Sequence, residues 1–100
     1  MRSSDSWLLI LNALWSIHQY EKNFSTGEVM GATRAPKGRT LRVLRTCEKA
    51  KLIVKMPTGY RKRFWSFTKK FPSSLKELIE IYETHMVLQR AFKRRSYGQK

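Results

Sequence analysis

The sequence holds one cysteine, three prolines and seven carboxylates in 100 residues, and each scarcity removes a class of protein. A single thiol, Cys47, rules out an internal disulfide and any zinc site built from several thiolates. No stretch approaches the roughly 18 consecutive apolar residues that a bilayer span requires. The first residues carry Asp5 and no small-residue cleavage site, so neither a transmembrane helix nor a secretion signal is expected. The expected setting is soluble and cytoplasmic, with no membrane partner. The carboxylates are scattered, no glycine-rich phosphate loop follows a strand, and a Cys-His nucleophilic pair would require Cys47 to meet His18 or His85 in space. No enzyme, cofactor or metal is expected.

What the chain has in excess is positive charge. An apolar content of 41% in 100 residues fits one small domain, short enough of stabilising surface that a partner chain is expected. The net charge is +14, and it is unevenly placed. Residues 1–36 carry three Lys or Arg and three Asp or Glu, residues 37–71 carry twelve against one, and residues 72–100 carry six against three. Solubility alone would be served by spread charge, whereas a concentrated block draws in a polyanion. A nucleic acid is the first candidate and an anionic membrane the second.

Periodicity orders the chain into elements. A first helix, capped by Asp5 or Ser6, runs to about Glu21 through "SWLLILNALWSIHQYEK", which has no Pro, Gly or turn cluster. Asn12, Ser16 and Gln19 form one narrow polar strip, and apolar residues cover most of the rest, so this helix is expected to be buried on more than one side. Ser25 with Glu28 three residues on is a capping box opening a short second helix, and Arg34, Ala35 and Pro36 make the turn. In "KGRTLRVLRTCEK" the residues Thr40, Leu41, Val43, Leu44 and Cys47 fall on one side of a wheel, and Arg39, Arg42, Arg45, Thr46 and Lys49 on the other. Gly38 lies within the cationic arc, where a missing side chain lets a backbone or phosphate come close. Two short helices, a turn and a basic third helix make a helix-turn-helix arrangement, whose last helix can enter a DNA major groove.

After the third helix the period changes to two. Leu52 to Met56 and about Lys62 to Thr68 read as a two-stranded hairpin around a Pro-Thr-Gly turn. Lys55, Tyr60, Arg61, Lys62 and Arg63 sit toward its tip, and Trp65 and Phe67, alternating with Ser66, face the core. A basic hairpin beside a basic helix argues against membrane attachment, because a membrane-surface helix needs in lipid the apolar face that this core uses.

The order of elements, and especially "TLRVLRTCEKAKLIVK" followed by "RKRFWSFTKK", resembles winged-helix DNA-binding proteins of the MarR, PadR and ArsR kind. Leu44, Leu52 and Ile53 match apolar positions of that pattern, and Phe67 with Thr68 resembles its closing pair. The chain is also similar in size to small dimeric winged-helix proteins of archaea and archaeal viruses. Lys51 departs from the pattern where a helix-ending glycine is usual, and Cys47 where leucine is usual, so a different turn is expected after the third helix. The resemblance implies a mainly α fold with a small β-hairpin wing and a long C-terminal dimerisation helix.

That last helix is also legible directly. "PSSLKELIEIYETHMVLQRAF" opens on a Ser74–Glu77 capping box and holds no interior Gly or Pro. Its apolar stripe covers half the wheel, wide enough to meet both the first helix and a symmetry mate in a two-fold dimer. The expected interface comprises Trp7, Leu11, Leu78, Ile81, Tyr82, His85, Leu88 and Phe92. His18 is expected to be a hydrogen-bonded core histidine, and Cys47 a small buried hydrophobe. Three segments follow: a winged-helix domain over 1–71, a dimerisation helix over 72–93 and a basic flexible tail over 94–100. The expected function is sequence-specific binding of double-stranded DNA by a homodimeric transcriptional regulator. Lys37, Gly38, Arg39, Arg42, Arg45, Thr46 and Lys49 would lie on the groove, with Arg39 and Arg42 at base edges, and the wing over 55–64 on the backbone. A sequence-tolerant architectural DNA-binding protein, or a winged helix that binds RNA or protein, is the alternative.

Overall fold

The computed structural model describes residues 6–57 and 64–98, with side chains as far as residue 91. In chain order these form α1 (Ser6–His18), β1 (Asn23–Ser25), α2 (Thr26–Thr33), α3 (Lys37–Lys49), β2 (Ile53–Lys55), β3 (Phe64–Phe67) and α4 (Leu75–Gly98). The first helix stops three residues short of the expected Glu21. The N–H groups of Gln19 and Tyr20 donate to the carbonyls of Ser16 and Ile17 at 3.1 and 3.0 Å, tightening the last turn so that the chain can reverse. That reversal delivers Phe24 into the core.

The expected two-stranded hairpin is a three-stranded antiparallel sheet in the order β1-β3-β2. Phe24 lies opposite Trp65, and Ile53 opposite Phe67. The added strand, Asn23–Ser25, buries only its central residue, so it carries no alternation long enough to read. Trp65 is fully buried, and its indole Nε1 donates to Thr26 Oγ1 at 3.0 Å, which satisfies a polar atom that burial would otherwise penalise.

Local chemistry sets the helix ends. Ser25 Oγ accepts from the Glu28 N–H and Glu28 Oε1 from the Ser25 N–H, each at 3.1 Å, so the capping box forms as written in the sequence. α2 closes on Arg34 in the left-handed region, φ 59°. α3 closes on a paired motif in which Leu52 N–H donates to Cys47 O at 3.0 Å and Lys51 N–H to Glu48 O at 2.9 Å. Such a closure places the residue after the cap in the left-handed region, and Lys51 takes it, φ 66°. The turn is therefore the one a glycine would make, held by a lysine at a cost of about 1–2 kcal/mol.

Ile10, Leu11 and Leu14 of α1, Val43, Leu44 and Cys47 of α3, and Leu78 and Tyr82 of α4 meet Phe24, Ile53 and Trp65 in one core. Each large aliphatic side chain there contributes about 1.5–3 kcal/mol by leaving water. This arrangement corrects the expected dimer set: Leu11, Leu78 and Tyr82 are buried within the chain itself, and Trp7 stacks on Tyr82 at 5.1 Å. Ile81 and His85 are half-buried, Leu88 is 47% exposed, and the Phe92 side chain lies outside the described residues. His18 packs its ring against Phe67 and Phe71, but its buried Nδ1 has no hydrogen-bond partner, contrary to the hydrogen-bonded histidine expected. α4 runs through residues 94–98, where a flexible tail was expected. Lys93, Arg94 and Arg95 are good helix formers, and the first glycine of the segment is Gly98.

Candidate nucleic-acid interface

The apolar half of α3 is in the core, and its opposite half is what remains for a partner. Thr40, Val43, Leu44 and Cys47 are buried. Lys37, Gly38, Arg42, Arg45 and Lys49 are exposed. At about 100° per residue, Arg42, Arg45 and Lys49 all fall within about 40° of Gly38, so the glycine lies on the mid-line of a cationic strip about 20 Å long, at its N-terminal end. A Cβ placed on Gly38 would meet nothing within 4 Å, and its backbone is not left-handed. The fold gives no reason for a glycine there.

The N-terminal end of α3 adds to this field. Pro36 caps the helix without a side-chain hydrogen bond, and no acidic residue lies in the first turn. The exposed N–H groups of that turn, with the helix dipole behind them, favour an anion. Arg34, exposed and three residues upstream, lies next to this end; in the sequence it falls in the turn, just outside the basic block over 37–71.

Two expected contact residues turn away from the strip. Thr46 is 4% exposed; its Oγ1 donates to Arg42 O at 3.1 Å and lies 3.9 Å from Met86 Sδ of α4. It is therefore corrected from a groove residue to part of the α3–α4 contact. Arg39 is half-buried, and its Nη1 donates to Ser6 Oγ of α1 at 3.2 Å. On a helical wheel both residues lie about 80–100° from Gly38, at the edge of the cationic arc, and α1 and α4 cover that flank.

Arg39 and Arg42 line a cavity of about 510 Å³ between α1, α3 and α4. Its walls include the stacked Trp7 and Tyr82 together with Arg90, and among the described residues Glu83 is the one carboxylate in the lining. Burial raises the Tyr82 hydroxyl pKa and the nearby Cys47 raises it further, while Arg42 and Arg90 pull it down. The Cys47 thiol itself is pushed up to about 12 by burial, which keeps it protonated and unreactive at neutral pH.

On the wing, Lys55 is exposed, with Nζ 5.8 Å from the Trp65 ring centroid, within the range of a cation–π contact. Tyr60, Arg61, Lys62 and Arg63 lie outside the described residues. Among the described residues no group of three or more His, Cys, Asp or Glu could hold a metal ion, and no helix is long and apolar enough to cross a membrane.

No protein-family model matches the sequence, and no curated protein matches it. Solved structures do share its fold. BpsR of Bordetella bronchiseptica, whose DNA binding is regulated by 6-hydroxynicotinic acid, matches 98% of this chain and 83% of its own, at 15% identity and a TM-score of 0.56. MepR of Staphylococcus aureus, a transcription regulator of the multidrug efflux pump MepA, matches at 16% identity and a TM-score of 0.51, over 96% of this chain and 64% of its own; it has also been solved with DNA. The chain thus spans less than two thirds of MepR's length. An Archaeoglobus fulgidus protein matches 88% of this chain and 91% of its own, at 11% identity and a TM-score of 0.54. By fold, the chain is a winged helix of the kind seen in MarR-family transcription regulators.

Proposed function

We propose that the chain is a homodimeric regulator that binds double-stranded DNA in a sequence-dependent way, with α3 in the major groove and the wing over 55–64 on the backbone. The observation that carries this reading is the exposed strip of Gly38, Arg42, Arg45 and Lys49 on a helix whose other side is core. Arg42 and Arg45 are assigned to base edges, where a guanidinium can pair with guanine through two bonds. Lys37, Lys49, Arg34 and Lys55 are assigned to phosphates, which fix register without reading sequence. Arg39, tied to Ser6, supports the helix from behind.

The dimer reading draws on Ile81, His85 and Leu88 of α4, an outward stripe beside the core-facing Leu78 and Tyr82. Leu8 and Leu9 of α1 are further apolar side chains left in contact with solvent, 38% and 37% exposed. Two copies related by a two-fold axis would offer their α3 helices to successive grooves about 34 Å apart. The test is the affinity for random-sequence duplexes across salt, the enrichment from such a pool, and the mass in solution. A dimer whose log affinity falls with log salt at about 0.9 per phosphate neutralised, and which enriches a two-fold symmetric site, supports the reading. Steep salt dependence without enrichment favours the architectural alternative, and a monomer without duplex affinity rejects both.

The cavity favours a second, compatible reading in which a small ligand controls binding. Stacked aromatics and three arginines suit an aromatic anion, and Arg42 is shared between this cavity and the groove strip. Calorimetric titration with benzoate-type anions, with and without duplex, tests it; heat of binding that survives Arg90→Ala would count against the cavity.

A further inference from the structure

The sheet has two ends. From one the chain continues into residues 58–63, and at the other all three strands meet lysines. Lys22 immediately precedes β1, Lys51 lies just before β2, and β3 runs out through Thr68 into Lys69 and Lys70. Antiparallel pairing brings these three points together, because Asn23 faces Ser66 and Ile53 faces Phe67.

Hydrogen bonds pin the backbone around them. Phe67 N–H donates to Lys22 O at 2.9 Å, and Thr68 N–H to Leu52 O at 3.0 Å. The Thr68 hydroxyl donates to Lys51 O at 2.7 Å and accepts from Lys70 N–H at 3.2 Å. All four lysines are exposed. The carboxylates nearest in sequence are Glu21, exposed beside Lys22, and the half-buried Glu48, so four ammonium groups stand against two carboxylates and this end keeps an excess of positive charge. Tyr20, two residues before Lys22 and 88% exposed, adds a hydroxyl that suits a phosphate oxygen. Lys51 also holds a left-handed backbone that a glycine would adopt freely, so its side chain is kept at the expense of local strain.

We infer that this lysine end of the sheet is a second contact surface for a DNA backbone, distinct from the α3 strip, through which one protein molecule holds a second duplex. The inference rests on the DNA-binding reading of α3. The lysine end lies past the last residue of α3 and at the opposite end of the sheet from Lys55 and Phe64, where the wing begins, so a duplex held between α3 and the wing leaves it open. Four mobile ammonium groups on a fixed backbone suit phosphates, and they offer no planar fork with which to read bases. The surface therefore adds sequence-independent affinity.

The test compares the wild-type chain with a variant carrying Lys22→Gln, Lys51→Gln, Lys69→Gln and Lys70→Gln. One assay measures the affinity for a single labelled duplex; the other measures capture of that labelled duplex by a second duplex fixed on beads. The expected result is bridging by the wild type, loss of at least tenfold in bridging by the variant, and single-duplex affinity within about threefold of wild type. Equal bridging by both proteins, or none by the wild type that binds single duplexes normally, overturns the inference. So does a single-duplex loss as large as that of Arg42→Ala, because the two surfaces would then be one footprint. Capture of phosphatidylserine vesicles in place of duplex bridging would assign the surface to a membrane and also overturn it. A wild-type chain that binds no duplex at all fails the α3 reading itself. Lys51→Gly provides a control for folding, since it removes the charge while relaxing the backbone: a higher Tm with weaker bridging is the expected pair.

Discussion

Gly38→Ala adds one methyl group on the mid-line of the α3 strip, near its N-terminal end, at a place where the protein has no use for the space. The added Cβ meets nothing within 4 Å, and the backbone is already helical. Replacing glycine by alanine within a helix stabilises it by about 0.5–1 kcal/mol, through the lost freedom of the unfolded chain. For a domain of this size that raises Tm by about 2–8 °C. Duplex affinity should move the other way. If a phosphate or sugar closes on the Gly38 backbone, a methyl in that gap costs about 1.4 kcal/mol, or tenfold in Kd. Thermal melting by circular dichroism and fluorescence anisotropy on one duplex read the two effects separately. A raised Tm with unchanged Kd would refute the placement of Gly38 at the DNA, and a lowered Tm would refute the claim that the fold leaves that space empty.

Further outcomes follow from other parts of the molecule. Arg42→Ala and Arg45→Ala should each weaken duplex binding and reduce the salt slope by about 1, whereas Arg39→Ala, tied to Ser6, should leave the slope closer to wild type; anisotropy across salt checks this. Lys51→Gly should raise Tm by releasing about 1 kcal/mol of left-handed strain, roughly 4–8 °C. Burial raises the folded-state pKa of Cys47 from 9.0 to about 12, so its contribution to stability is complete below pH 9 and is lost as pH rises toward 12. Over that window Tm of the wild type should fall more steeply than Tm of Cys47→Ala. Leu88→Lys, at a 47% exposed position of α4, should leave Tm of the domain little changed and reduce the solution mass to that of a monomer, as read by light scattering.

Elements with a strong local signal were legible in the sequence. The Ser25–Glu28 box and the Ser74 cap form where the spacing put them, and the wheel of α3 separates core from strip because its polar face carries charge of one sign. Tertiary packing decides the rest. A wheel divides a helix into apolar and polar halves but does not say which neighbour covers which edge. Leu78 and Tyr82 therefore read as interface when they are core, and Thr46 reads as groove when α4 lies over it. β1 escapes notice because three residues with one buried side chain carry no period. The cavity has no signal either, since Trp7, Arg39, Tyr82 and Arg90 converge on it from three helices.

The hydrogen bond from Trp65 to Thr26 joins the wing to the helix-turn-helix. Trp65 belongs to the strand that leaves the wing, and Thr26 is the first residue of the helix that leads into the turn before α3. With that bond buried, β3 and the start of α2 are tied together before any partner arrives, so in the proposed complex the helix-turn-helix and the base of the wing would meet a duplex as one unit. The ordering cost of that joint is met once, when the chain folds, and would not be paid again on binding. If the proposed docking holds, DNA whose grooves do not match the joined pair would have to bend or widen to be gripped, and sequence-dependent stiffness would be sensed at base pairs the domain never touches.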